Sequence, residues 1–176
     1  MLFNIDKCKV MHIGKNNLKT KYELDGANLD EVIEERDLGV IIQNDLKCSQ
    51  QCSKAIKTAN RILCIIKRTF TYLDSENVLQ LYKTLVRPHL EYSVQAWIPY
   101  YRKYIDLIEK VQRRATKLIP SLKNTSYQDR LTFLDLTTLE TRRGDLIEVL
   151  KIFKGYDDLK PSKFFYLNST LARDHS

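Results

Sequence analysis

No run of about 18 apolar residues occurs in the 176-residue chain, so the sequence offers no segment able to span a membrane as a helix. The opening residues, MLFNIDKCKV, carry charges where a signal peptide needs an apolar stretch, so secretion is unsupported. Glycine and proline are scarce, five and four, and 43% of residues are hydrophobic, which favours a packed core over disorder. The four cysteines (Cys8, Cys48, Cys52 and Cys64) form no C-x-x-C pair and read as reduced thiols used as small apolar residues inside a cell. Cys48 and Cys52 lie four apart but lack the second tight ligand pair of a zinc site. No glycine-rich phosphate loop is present, and His12, His89 and His175 have no Ser or Cys partner at motif spacing. Asp157-Asp158 has no acidic company with which to complete a two-metal site. The residues therefore indicate neither a nucleophile, a nucleotide loop nor a metal centre.

What is present is charge, unevenly placed. The net charge is +7. Residues 1–45 carry 6 Lys and Arg against 9 Asp and Glu, and residues 124–176 carry 8 against 8. Residues 46–123 carry 15 against 5, so the whole basic excess belongs to one segment. A localised excess is the electrostatic footprint of a phosphate-binding surface, although a solvated helix face would look the same in composition.

The pattern of apolar residues changes at the same place. Residues 7–14, 21–32 and 36–42 are short and strand-compatible, with Asp25-Gly26 a tight-turn signal and Val40, Ile41 and Ile42 suited to a buried strand. They predict two small antiparallel hairpins, too little to fold alone. From about residue 48, Cys52, Ala55, Ile56, Ala59, Ile62, Leu63 and Ile66 recur at three and four, predicting a helix of roughly 20 residues. Lys54, Lys57, Arg61 and Arg68 follow the same arithmetic on another face. A second helix starts at Asp74 or Ser75, with Val78, Leu81, Tyr82, Leu85 and Val86 inward. Its face continues through Pro88 to Leu90, Val94 and Trp97, which predicts a long helix kinked at the proline with Arg87, His89 and Glu91 toward solvent. A break into two short helices is the alternative.

A further helix covers about 101–119, with Tyr104, Leu107, Ile108, Val111, Ala115 and Leu118 inward and Lys110, Arg113, Arg114 and Lys117 on its second face. Thr137 with Glu140 fits a reciprocal cap, opening a helix that ends at Gly155. The expected fold is α+β, mostly α. Short N-terminal hairpins (1–45) precede a helical bundle (46–123), a helical extension (124–156) and a loosely ordered tail (157–176) in which Phe164 and Phe165 tuck against the bundle.

Five stretches occur in a telling order: FNIDKCKVMHIG, ERDLGVIIQNDLKCSQQCSKAIKTANRIL, LYKTLVRPHLEYSVQAW, LIEKVQRRATKLI and YQDRLTFLDLTTLETRRGDL. Together they resemble the C-terminal part of the reverse transcriptases of LINE-type (non-LTR) retrotransposons, over about residues 3–155. The resemblance implies that residues 1–45 finish the palm and that the bundle is a thumb gripping a template–primer duplex of RNA or DNA. Asn4-Ile5-Asp6-Lys7 resembles the family's N-x-x-K element, which implies an auxiliary catalytic role for Lys7 beside the incoming nucleotide. Asp37-Leu38-Gly39 resembles a Tyr-Leu-Gly turn that holds the primer's end, with Asp in place of the aromatic. Leu38 and Gly39 are thus implied in nucleic-acid binding, beside Lys54, Lys57, Arg61, Lys110, Arg113, Arg114 and Lys117.

The intact family enzyme works with magnesium, held by an upstream strand and a Tyr-x-Asp-Asp turn. Neither stands in this sequence, so no cofactor is expected for this chain. The expectation is a remnant opened by Met1, intracellular in nucleus or cytoplasm, without membrane attachment, binding duplex weakly. The alternative is a helical protein-interaction module or a translated relic without a role. On a primed RNA template with magnesium and all four nucleotides, the pure chain is expected to incorporate nothing. Measurable primer extension overturns that expectation.

Overall fold

The computed structural model describes residues 4–14, 16–156 and 160–163. The chain is mixed α+β and mostly helical, as its apolar periodicity predicts. Its strands come first: β1 (Lys9–Val10), β2 (Glu23–Leu24), β3 (Ala27–Asn28), β4 (Asp30–Glu31), β5 (Glu34–Asp37) and β6 (Val40–Gln43). β2 and β3 form the hairpin signalled by Asp25-Gly26, and β5 and β6 form a second with Asp37 opposite Val40. The parallel pairing of β1 with β4 was not legible, because it joins residues about twenty apart with no local turn to announce it.

Each of the three sheets among the described residues is two-stranded. Among the described residues before Cys48 only Val40 is buried, so the expected burial of Ile41 and Ile42 is corrected. An open two-stranded ribbon has no second layer to cover its faces. This one leans on the helix that follows. The Ile41 N–H donates to Gln51 Oε1 at 3.0 Å, and Val40 joins the main hydrophobic cluster.

That helix, α1 (Ser49–Thr69), buries Cys52, Ala55, Ala59, Leu63 and Ile66, the stripe that the spacing predicts. α2 (Ser75–Leu81) starts at Asp74, whose carboxylate accepts the Asn77 N–H at 2.7 Å. The chain then meets Pro88. Proline lacks the N–H that the Thr84 carbonyl would receive, and a regular helix would lose that bond. Just before the proline, residues Tyr82–Val86 widen into a π turn, in which the Arg87 N–H reaches back to the Tyr82 carbonyl, and α3 (Arg87–Glu91) carries Pro88 in its first turn.

The helix therefore passes the proline, and the break comes later. Ser93 is left-handed (φ 51°), and α4 (Val94–Trp97) is a separate turn. Val86, Leu90, Val94 and Trp97 are all buried as predicted, though not on one continuous helix. Leu85 is corrected to the surface, 47% exposed, because the wider turn rotates it away from the core. Arg87 is corrected inward: it is buried, its guanidinium 2.7 Å from the Glu91 carboxylate, which satisfies the charge locally.

α5 (Arg102–Thr116) packs along α1 and buries Ile108, Val111 and Ala115, whereas Leu107 stays exposed. α6 (Tyr127–Phe133), capped by Ser126 on the Asp129 N–H, had not been expected; its seven residues are too few for a periodic signal. α7 (Leu139–Lys154) is capped by Thr138 on the Thr141 N–H rather than by Thr137, and Glu140 pairs with Arg102 instead of closing a capping box. Gly155 ends it in the left-handed conformation, as expected. One cluster of buried side chains runs from Val40 to Leu139, drawing on every segment between. The expected loose tail lies mostly outside the described residues, as do Phe164 and Phe165; of it Lys160 and a single turn, Pro161–Lys163, are described.

Trp97 is 4% exposed, and its indole N–H donates to the Tyr92 carbonyl at 2.7 Å, closing the break. Trp97→Ala is expected to cost about 3–5 kcal/mol in equilibrium denaturation, from the cavity and the orphaned carbonyl together. An unchanged denaturation midpoint would show that the ring carries no packing.

Candidate nucleic-acid interface

α1 contains no acidic residue. Burial of its small apolar stripe turns the opposite face outward, and Lys57, Arg61, Lys67 and Arg68 lie there exposed. Lys54, at the rim, is half-buried and diverted: its ammonium donates to the Gly39 carbonyl at 2.9 Å. Desolvation, with the charge of Arg36 in second place, lowers its pKa.

On α5, Lys110, Arg113, Arg114 and Lys117 follow the burial of Ile108, Val111 and Ala115 onto the outer face, all exposed. Arg114 bridges to α1, with Nη1 2.7 Å from Asn60 Oδ1. Arg113 lies 4.5 Å from the centre of the Tyr127 ring. The two stripes that the sequence places on separate helices are thus set on adjoining helices and stitched at one rim. Among the described residues, none of Lys57, Arg61, Lys110, Arg113, Arg114 and Lys117 pairs with a carboxylate. Unneutralised neighbours of like sign raise the local potential, which attracts polyanions.

The turn between β5 and β6 adjoins the Lys54 end of this surface. Leu38 (φ 43°) and Gly39 (φ 87°) are both left-handed, the geometry of a two-residue hairpin turn whose twist suits its strands. A leucine there is strained. Two bonds hold it: the Tyr92 hydroxyl donates to the Leu38 carbonyl at 2.8 Å, and Lys54 holds that of Gly39. The Leu38 side chain itself is 82% exposed. Beside the turn lies an open groove of about 380 Å³, whose lining includes Arg36, Lys54, His89 and Tyr92 and no carboxylate. Sequence reasoning left out Arg36, His89 and Tyr92. The turn lacks an aromatic at position 37, but Tyr92 brings a ring to it from the end of α3, with Cε1 3.6 Å from where a Gly39 Cβ would stand. Lys7 is exposed in a single helical turn, Ile5–Lys7, and among the described residues no side-chain hydrogen bond or ion pair ties it to this groove.

Beneath the surface runs a polar network with no sequence signature. Gln112 is fully buried; it accepts from the Tyr82 hydroxyl at 2.6 Å and donates to the Thr137 carbonyl at 2.9 Å and to the Tyr127 hydroxyl at 3.0 Å. Glu109 accepts from the Tyr127 hydroxyl and, at 3.0 Å, from the Leu139 N–H, which seats the start of α7 on α5. Burial raises the pKa of both tyrosines, with the Glu109 carboxylate adding to the effect at Tyr127, so both stay neutral donors. Glu91 holds Arg87 and Arg142 together. Arg143 is buried with Nε and Nη2 unpartnered among the described residues, its charge opposite Glu109 and Glu91. The Cys52 thiol is pushed up to about 12, mainly by burial, and is inert as a nucleophile.

This arrangement can hold a polyanion. No group of three or more His, Cys, Asp or Glu among the described residues is placed to share a metal ion. Among the described residues, no helix is long and apolar enough to cross a membrane. Comparison of the chain with protein-family models, with curated proteins and with solved structures gave no match. Network and surface are separable by mutation. Gln112→Leu is expected to destabilise by about 2–4 kcal/mol, because it strands the buried Tyr82 hydroxyl and breaks the bonds to Tyr127 and Thr137, whereas Lys57→Gln stays within about 0.5 kcal/mol. Urea denaturation of both variants checks the contrast.

Proposed function

We propose that the chain is the end of the palm and the thumb of a LINE-type reverse transcriptase, and that it grips the phosphate backbone of a template–primer duplex without itself joining nucleotides. The observation that carries the reading is the basic surface made by Lys57, Arg61, Lys110, Arg114 and Lys117 on α1 and α5, none of which pairs with a carboxylate among the described residues. Its continuation past Lys54 into the groove at the Leu38-Gly39 turn supports it, and so does the order of the five family-like stretches. The mechanism is electrostatic. Each cation that meets a phosphate releases condensed counterions, so affinity arises without reading bases. Lys54 acts differently from its neighbours, positioning the turn that carries Leu38 and Gly39.

Nucleotide transfer would need two magnesium ions between converging carboxylates, and the chain's residues do not fit that pair. Among the described residues, buried Glu109 is committed to Tyr127 and Leu139, and half-buried Glu91 to Arg87 and Arg142. Lys7 remains the candidate for an auxiliary role beside an incoming nucleotide. A second reading, a helical protein-interaction module, is favoured by one observation: Leu146 and Leu150 are exposed on the C-terminal half of α7.

A fluorescence-anisotropy titration of blunt duplex at several salt concentrations separates the two. About five phosphate contacts give a log–log salt slope of about −4 to −5, since each contributes about −0.9. Replacing Lys57, Arg61 and Lys117 together by Gln is expected to flatten that slope by about three units while leaving stability almost unchanged. Absence of binding at about 50 mM salt, or a triple variant that binds as tightly as the parent, leaves the interaction module ahead.

A further inference from the structure

The stretch from the end of α4 into α5, Ile98-Pro99-Tyr100-Tyr101-Arg102-Lys103-Tyr104, lies apart from the basic surface described above, and only Pro99 and Tyr104 turn toward the core. Tyr100 is 67% exposed and Tyr101 46% exposed. Their ring centres lie 4.3 Å apart at a tilt of 38°. Tyr101 also meets Tyr104 edge-on at 6.3 Å. The Lys103 ammonium sits 4.8 Å from the Tyr104 ring centre and 5.8 Å from that of Tyr101, which braces the cluster from one side.

Tyr100 further lines a groove of about 290 Å³ between β6 and α4, together with Leu46, Lys47, Trp97 and Ile98. The charges around it are accounted for. Lys47 is 2.7 Å from Asp45, and Arg102 pairs with Asp106 at 3.3 Å and Glu140 at 3.0 Å. Lys103 has no carboxylate partner among the described residues. Two solvent-exposed rings in tilted contact beside a largely apolar groove, with the Lys103 cation next to them, match a flat aromatic ligand flanked by negative charge. An unpaired nucleotide has that chemistry, and base stacking on exposed aromatics with a cationic track is how single strands are held without sequence preference.

We propose that Tyr100 and Tyr101 form a stacking platform for unpaired nucleobases, with Lys103 placed for a flanking phosphate, so that the chain holds a single-stranded extension as well as a duplex. The inference rests on the nucleic-acid reading above, but uses a different surface and a different interaction. Duplex backbone is met by cations on α1 and α5; unpaired bases are met by tyrosine rings at the start of α5.

The test measures the full chain against labelled single-stranded oligothymidylate and, separately, against blunt duplex. The double variant Tyr100→Ala/Tyr101→Ala is expected to lose about tenfold or more in single-strand affinity. Tyr100→Phe/Tyr101→Phe should stay within about twofold, because phenylalanine keeps the ring face, and neither variant should alter the duplex salt slope. Far-ultraviolet circular dichroism and the urea midpoint verify that both variants fold; a misfolded alanine pair is replaced by single changes at Tyr100 and Tyr101. The platform is overturned if the parent chain does not bind oligothymidylate, if the alanine pair binds it as well as the parent, or if the phenylalanine pair fails with it. It is equally overturned if a proline-rich peptide, and not oligothymidylate, competes at these rings. Loss of duplex binding with single-strand binding intact would strike the thumb reading alone.

Discussion

Everything in this fold is hung on the narrow side of α1. Cys52, Ala55 and Ala59 are small, and small side chains let neighbouring backbones come close. The β5–β6 hairpin, the π turn, α3 and α5 all pack against that side. Burial of the stripe removes apolar area from water, and it also decides where the cations go. With no acid anywhere on α1, the face opposite can only be positive. The same surface is therefore a consequence of packing and a property available for binding.

The passage from Pro88 to Trp97 shows how a local conflict is resolved by neighbours. Proline removes the bond that the Thr84 carbonyl would accept, and just before it the helix widens into a π turn that carries the Arg87 N–H to the Tyr82 carbonyl. The chain then stops at Tyr92, turns through left-handed Ser93 and is closed by the Trp97 indole on the Tyr92 carbonyl. Tyr92 works at both ends. Its carbonyl receives Trp97, and its hydroxyl holds the strained turn at Leu38, so the bundle's one tryptophan is linked through a single residue to the hairpin.

The polar network around Gln112 gives the outer helices their register. A purely apolar contact tolerates sliding, whereas Gln112 and Glu109 accept only one seating of Thr137 and Leu139. Each buried partner left without its bond would cost free energy, which is why the start of α7 sits where it does. Arg113 stacks on Tyr127, so the network reaches the basic surface and limits the freedom of one of its cations.

How much of this was legible follows the range of the interactions. The extent of α1, its buried stripe and its cation face are read from spacings of three and four, because a helix repeats within its own sequence. The Asp25-Gly26 turn, the Asp74 cap and the Gly155 stop are local chemistry and were equally visible. The two basic stripes were visible singly, but only the packing of α5 along α1 sets them on adjoining helices, and only in the fold is Lys54 spent on the Gly39 carbonyl. Leu85 and Leu107 match the helical period and still face water, since a π turn rotates one and no neighbour covers the other. The pairing of β1 with β4, the ring that Tyr92 lends to a turn 54 residues earlier, and the Gln112 network depend on partners far apart in the chain. The residues by themselves determined which faces could be buried and which had to be charged. Which faces meet was decided by the tertiary structure, because a contact between distant residues leaves no periodic trace in either of them.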